Sequence, residues 1–178
     1  MVERSHPLLA LSTNSAQCTE VTLSAVPSLT RIVVRAEGSS IETLGDLVGV
    51  ELPTEACRSN RTHNRAALWL GPDEWLVLAD QGAEVPAVHP AGSIVDVSHA
   101  MTGIVVAGSR AGWAINAFCA LDLHPVAFPV GMCTRTVFGK AEIVLWRTED
   151  ERFRIEVARS FAPYVWACLE EARREFLA

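Results

Sequence analysis

Five cysteines, five histidines and 21 acidic residues are the chain's stock of side chains that can act as nucleophiles, bases or metal ligands. Cys57 stands beside Arg58 in a polar stretch that also holds His63. A neighbouring cation lowers a thiol's pKa and favours the thiolate, so Cys57 is the best candidate nucleophile. It has no visible third group and no oxyanion signal, and a plain loop cysteine is the favoured alternative. Cys119 and Cys168 fall on apolar helical stripes and read as core, since a free cysteine packs as a small hydrophobe. No Gly-x-Ser-x-Gly elbow occurs. His63, His89, His99 and His124 are irregularly spaced, with neither His-Glu-x-x-His nor a Cys-x-x-Cys pair, so no zinc signature is present.

Asp96-Val97-Ser98-His99 is the densest polar cluster inside an apolar region. It reads either as an acid-plus-imidazole site or as Asp96 and Ser98 satisfying backbone donors at a strand end, and the second reading is favoured. Gly103 and Gly108 lack the spacing and the Lys-Ser/Thr of a phosphate-binding loop, and no Gly-x-Gly-x-x-Gly occurs. The carboxylate pairs Asp73-Glu74, Glu149-Asp150 and Glu170-Glu171 read as solubilising. The tryptophans Trp69, Trp75, Trp113, Trp146 and Trp166 suit either the core or a protein interface, where Trp is a frequent hot spot.

The elements that must position these residues follow from the hydrophobic pattern. Leu29 to Ala36 is a β-branched strand, and Ser39, in a capping box with Glu42, opens a helix through Ile41, Leu44, Leu47 and Val48. Residues 51–65 are polar and predict a loop. Ala66 to Leu70 and Trp75 to Ala79 are strands around the Gly71-Pro72-Asp73-Glu74 turn. Ile94 to Val97 and Gly103 to Ala107 are strands, and Ser109 caps the next helix. Cys133 to Phe138 and Ala141 to Arg147 form a hairpin, Phe153 to Val157 alternates as a strand, and a helix runs from Ser160 to Phe176. The two series look alike: Ile32-Val33-Val34 then Ser39 parallels Ile104-Val105-Val106 then Ser109, and Gly71 to Val77 parallels Gly139 to Leu145. Each half would be strand–helix–strand–strand, a unit that cannot cover its own apolar sheet face alone; two ordinary α+β stretches with no repeat are the equal alternative.

Composition bounds the answer further. The 178 residues are 49% hydrophobic and 20% charged, against about 25% charged in typical soluble domains. That excludes disorder and implies one domain or two small fused halves. A net charge of −6 argues against a nucleic-acid binder. The run Pro7 to Leu11 is shorter than a signal-peptide core, and Ala111 to Leu121 is too short to span a bilayer. The irregular cysteine positions fit no disulfide framework, and a reducing cytoplasm is the expected compartment.

The runs Asp96-Val-Ser-His99, Gly108-Ser-Arg110, Ala120-Leu-Asp122, Phe138-Gly139, Ile143 to Arg147 and Phe153-Arg154 resemble the first domain of the aminomethyltransferase (T-protein) folate-binding fold. Leu70 to Val77, Phe128 to Thr136, Phe138 to Arg147 and Arg159 to Trp166 look like the gamma-subunit family of heterotetrameric sarcosine oxidases, in order as well as in local motif. The resemblance implies an α+β fold of two βαββ-like (ferredoxin-like) halves with a mostly antiparallel sheet. The expected division is an irregular arm with one short strand over 1–28 and a domain over 29–178, its halves about 29–90 and 91–178.

It also implies an accessory subunit of an oxidoreductase complex with alpha, beta and delta partners, which converts sarcosine, O2 and tetrahydrofolate to glycine, hydrogen peroxide and methylenetetrahydrofolate. FAD, NAD, FMN, tetrahydrofolate and zinc are then expected on the other subunits, and no catalytic, cofactor-binding or metal residue on this chain. Neither nucleic acid nor membrane is an expected partner. Folate-using members of the fold carry an Asp-Asp pair after the hairpin glycine, where this chain has Ala141-Glu142, and their following Asn is replaced by Arg159. Alanine is no acid or base, and Glu reaches one methylene further than Asp. A stand-alone folate-binding or one-carbon transfer protein is the alternative.

Overall fold

A computed structural model describes residues 6–13, 18–87 and 89–177. The chain divides into two compact units. One comprises residues 28–101 with 131–134, the other residues 102–130 and 135–178 together with the segment before residue 28.

The first unit is built on a five-stranded sheet of order β3-β4-β5-β2-β6, with β2 Thr30–Ala36, β3 Ser59–Arg61, β4 Arg65–Gly71, β5 Glu74–Ala79 and β6 Gly92–Asp96. The β2–β5, β2–β6, β3–β4 and β4–β5 pairs are antiparallel. Helix α2 (Ser40–Val48) buries Leu44 and Val48 in one cluster with Ile32, Val34, Trp75, Val77 and Ile94. Residues Ile32 and Val34 share a strand face at period two, and Leu44 and Val48 share a helix face at i, i+4. Two expectations fail here. Ser39 makes no side-chain capping bond, its backbone already being helical (φ −68°, ψ −14°), whereas an N-cap oxygen reaches the helix N–H groups from an extended backbone. The polar stretch 51–65 contains strand β3, which its residue types do not announce.

The second unit holds a sheet of order β8-β9-β10-β7-β1, with β1 Thr22–Ala25, β7 Met101–Ala107, β8 Cys133–Phe138, β9 Ala141–Glu149 and β10 Arg152–Ala158. The β1–β7 and β9–β10 pairs are antiparallel. Helix α3 (Ala111–Asn116) packs against β10 and against α4 (Ala162–Ala172), which ends in a short 3₁₀ turn over Arg174–Phe176. Ser109 does not cap α3, because Arg110 occupies the N-cap and makes no side-chain bond. On α4, Val165 and Leu169 share a face at i, i+4 and are buried. Arg173, although charged, is only 1% exposed. Its guanidinium donates to Glu170 and to the Val21 carbonyl at 3.2 Å. Residues 1–5 and 14–17 of the expected arm lie outside the described residues; the arm contributes helix α1 (Leu9–Thr13) and strand β1.

Each sheet is completed by a strand that precedes the other series. β6, just before β7, joins β2, while β1, just before β2, joins β7. Glycine admits both. A Cβ at Gly92 would lie 2.2 Å from the Arg35 carbonyl oxygen, and one at Gly103 would lie 2.8 Å from Val26 and from Glu156. Position in the sheets pairs β4–β5 with β9–β10, so the sequence parallel of Gly71 to Val77 with Gly139 to Leu145 is not the structural one. Each series has three strands after its helix, β3 and β10 being the additions.

Candidate functional site

The Asp96–His99 cluster sits at the end of β6. The Asp96 carboxylate accepts hydrogen bonds from the Ser98 hydroxyl and from the Ser98 backbone N–H at 2.8 Å, and Ser98 Oγ accepts the Arg31 backbone N–H at 2.9 Å. These bonds from Ser98 hold the Asp96 carboxyl below its ordinary pKa. His99 is exposed. The cluster therefore closes a strand end, as the favoured reading had it.

Cys57 lies in a turn in a left-handed conformation (φ +62°), the one non-glycine residue with positive φ among the described residues. The cation beside it is engaged: Arg58 Nε donates to Glu55 at 3.0 Å, and His63 is exposed. Opposite Cys57 lies Cys133, which the sequence reading did not connect to it. Cys119 is buried and Cys168 half-buried. Among the described residues no group of three or more His, Cys, Asp or Glu side chains could hold a metal ion.

Glu142, at the position of the folate-using members' Asp pair, is exposed on β9 (75% of its side chain) and faces Arg135 of β8 at 3.7 Å. Asp73 and Glu74 flank Arg35, with Glu74 at 2.7 Å. An open groove of about 690 Å³ runs beside α2, lined by Ile41, Gly45 and Leu52 and edged by Glu42, Asp46 and Glu51.

The motifs that carry the family resemblance prove to be fastenings of the fold. Trp75 Nε1 donates to the Pro53 carbonyl at 2.8 Å in the core. Arg147, buried at the end of the Phe138–Arg147 motif, donates to the carbonyls of Leu123 at 3.2 Å and Phe128 at 2.9 Å and to that of Asp150, and it lies 5.1 Å from the Phe153 ring centroid. The hairpin glycine Gly139 (φ +57°) meets Tyr164, whose hydroxyl accepts the Lys140 N–H at 3.2 Å. A Cβ at Gly139 would lie 2.4 Å from that hydroxyl. Trp166 Nε1 donates to Glu170 at 3.1 Å.

Residues 36–175 match the profile of the sarcosine oxidase, gamma subunit family. The chain belongs to the sarcosine oxidase gamma-subunit family. It is 32% identical to the sarcosine oxidase subunit gamma of Corynebacterium sp. strain P-1 over 88% of this chain and 81% of the relative. It is 30% identical to that of Corynebacterium sp. strain U-96 over 89% and 82%. Its structure is similar to a chain of the heterotetrameric sarcosine oxidase from Corynebacterium sp. U-96, solved in complex with pyrrole 2-carboxylate. There the TM-score is 0.87 at 29% identity, covering 98% of this chain and 97% of that one.

The glycine cleavage system aminomethyltransferase T from Bartonella henselae shares the fold at 12% identity. That likeness has a TM-score of 0.61 and covers 91% of this chain and 48% of that one. The gamma-subunit family thus combines the α+β aminomethyltransferase fold with membership of an oxidoreductase complex, as an accessory chain.

Proposed function

We propose that this chain is the accessory gamma subunit of an assembly with alpha, beta and delta chains. The assembly oxidatively demethylates sarcosine with O2 and tetrahydrofolate, yielding glycine, hydrogen peroxide and methylenetetrahydrofolate. FAD, NAD, FMN, tetrahydrofolate and zinc belong to the other chains, and this one contributes packing surface and rigidity. The end-to-end likeness to one chain of a heterotetrameric sarcosine oxidase is the observation that carries the reading. The exposed Glu142, in an ion pair where the folate-using members place an Asp pair, fits a chain whose folate chemistry lies elsewhere. A cytoplasmic location fits five unpaired cysteines. No helix among the described residues is long and apolar enough to cross a membrane.

The test is co-expression of a tagged chain with the candidate partner chains, followed by purification and measurement of sarcosine-dependent peroxide. The expected result is a stoichiometric complex with activity, and loss of assembly when this chain is omitted. Tetrahydrofolate binding or one-carbon transfer by the isolated chain, abolished by Glu142→Gln, would overturn the reading in favour of an independent transferase.

A further inference from the structure

Residues 57–59 run antiparallel to residues 131–133. Ser59 Oγ donates to the Gly131 carbonyl at 2.6 Å, Arg58 and Met132 form a β-bridge, and the Cys133 N–H donates to the Cys57 carbonyl at 2.9 Å. That register sets the two cysteines directly opposite one another. A direct backbone hydrogen bond between the two residues is the kind of close approach that a disulfide, with its Cα atoms roughly 4.4–6.8 Å apart, requires. Both thiols are free, Cys57 half-buried and Cys133 fully buried.

From this juxtaposition we propose that Cys57 and Cys133 form a peroxide-responsive thiol pair, in which Cys57 reacts first and Cys133 closes a reversible disulfide. In the first step the Cys57 thiolate attacks one oxygen of hydrogen peroxide. The O–O bond breaks, hydroxide leaves and takes up the proton the thiol had released to give water, and Cys57 becomes a sulfenic acid. In the second, Cys133 gives up its proton and its sulfur attacks the Cys57 sulfur. The S–S bond forms as the S–O bond breaks and a second water departs. The two thiols lose two electrons, and the peroxide gains them.

Three features order these roles. Only Cys57 has access to solvent, and exposure with thiolate character governs oxidation. Burial pushes the Cys133 thiol up to about 12, against a weaker opposing effect of the Trp69 carbonyl and a small further rise from Cys57. At neutral pH Cys133 is thus a protonated reserve, its Sγ–H directed to the carbonyls of Arg58 at 3.2 Å and Trp69 at 3.6 Å. Finally, a left-handed backbone is strained at a residue that carries a Cβ. Such strain is retained where the surroundings enforce it, often at functional positions; here it sits at the cysteine facing its partner.

The complex of the proposed function would generate this oxidant, so the biological setting rests on that reading. The chemistry does not, because the test supplies peroxide to the full-length chain directly. Remaining thiols are blocked with N-ethylmaleimide and the protein is mapped by mass spectrometry without reduction. The expected result is loss of two of the five thiols, with a linked Cys57–Cys133 peptide that dithiothreitol abolishes. Cys57→Ser should leave Cys133 as a free thiol. Cys133→Ala should leave Cys57 without a resolving partner and drive it to sulfinic acid. The proposal is overturned if wild-type Cys57 reaches sulfinic acid with no linked peptide, if it pairs with Cys168 instead, or if all five thiols survive peroxide that oxidises glutathione under the same conditions.

Discussion

Alkaline pH should unfold the wild-type chain more readily than a Cys133→Ala variant unfolds over the same interval. In the fold, burial holds the Cys133 thiol neutral up to about 12, against an ordinary value of 9.0. The folded pKa lies above the unfolded one, so the stability it contributes is complete below pH 9 and is lost as pH climbs from 9 towards 12. Above pH 9 the unfolded chain releases the proton and the folded chain does not. Each pH unit in that window then costs about 1.4 kcal/mol, so wild type should lose about 1.4 kcal/mol between pH 8 and pH 10 through this group alone.

Every other ionisable group is common to both proteins and drops out of the difference. Urea unfolding in the presence of a phosphine reductant, followed by the fluorescence of the buried Trp75, Trp146 and Trp166, reads the effect. With a urea slope of about 2 kcal/mol/M, the gap between the wild-type and variant midpoints should change by about 0.7 M between the two pH values. Parallel pH curves for the two proteins would show that Cys133 ionises as readily in the fold as in the unfolded chain. The burial argument would then be wrong.

Two further outcomes test the scaffold. Arg173→Met removes a guanidinium that binds Glu170 and the Val21 carbonyl. It should cost about 3 kcal/mol in chemical unfolding, because a partner is lost from a nearly buried pair; Arg174→Met, whose pair with Glu171 is exposed, should cost less than about 0.5 kcal/mol. Gly92→Ala forces a methyl to within 2.2 Å of the Arg35 carbonyl oxygen, so β6 amides should lose hydrogen-exchange protection and stability should drop by about 1–3 kcal/mol. Unchanged protection of Ile94 and Val95 would refute the close approach.

Much of this architecture was legible because burial writes itself into residue type. In β10, Phe153, Ile155 and Val157 are buried as their alternation predicts, although Glu156 between them is buried as well, in an ion pair with Arg154. In β9, consecutive Leu145 and Trp146 required cover on both faces, and both are buried. Asp96 and Ser98 announced a strand end because short polar side chains satisfy local backbone donors. Strand β3, by contrast, is Ser-Asn-Arg at a sheet edge, and its conformation comes from pairing with β4 rather than from its own side chains. The helix caps failed for reasons that residue type does not specify: Ser39 has a helical backbone, and Arg110 rather than Ser109 takes the N-cap of α3. The Cys57–Cys133 pairing rests on long-range register, and neither residue's neighbours carry a trace of it.

The same logic explains why the family motifs are conspicuous while the chain offers so little local chemistry. Trp75, Arg147, Gly139, Tyr164 and Trp166 each satisfy or create a steric demand inside the fold. Glu142 points to solvent and an arginine. What these residues supply is therefore internal fastening. The strand exchange reinforces it: without β6 the edge of β2 exposes its ladder groups, and without β1 the edge of β7 does. A sheet completed by a strand from the other series cannot lose that series and stay closed.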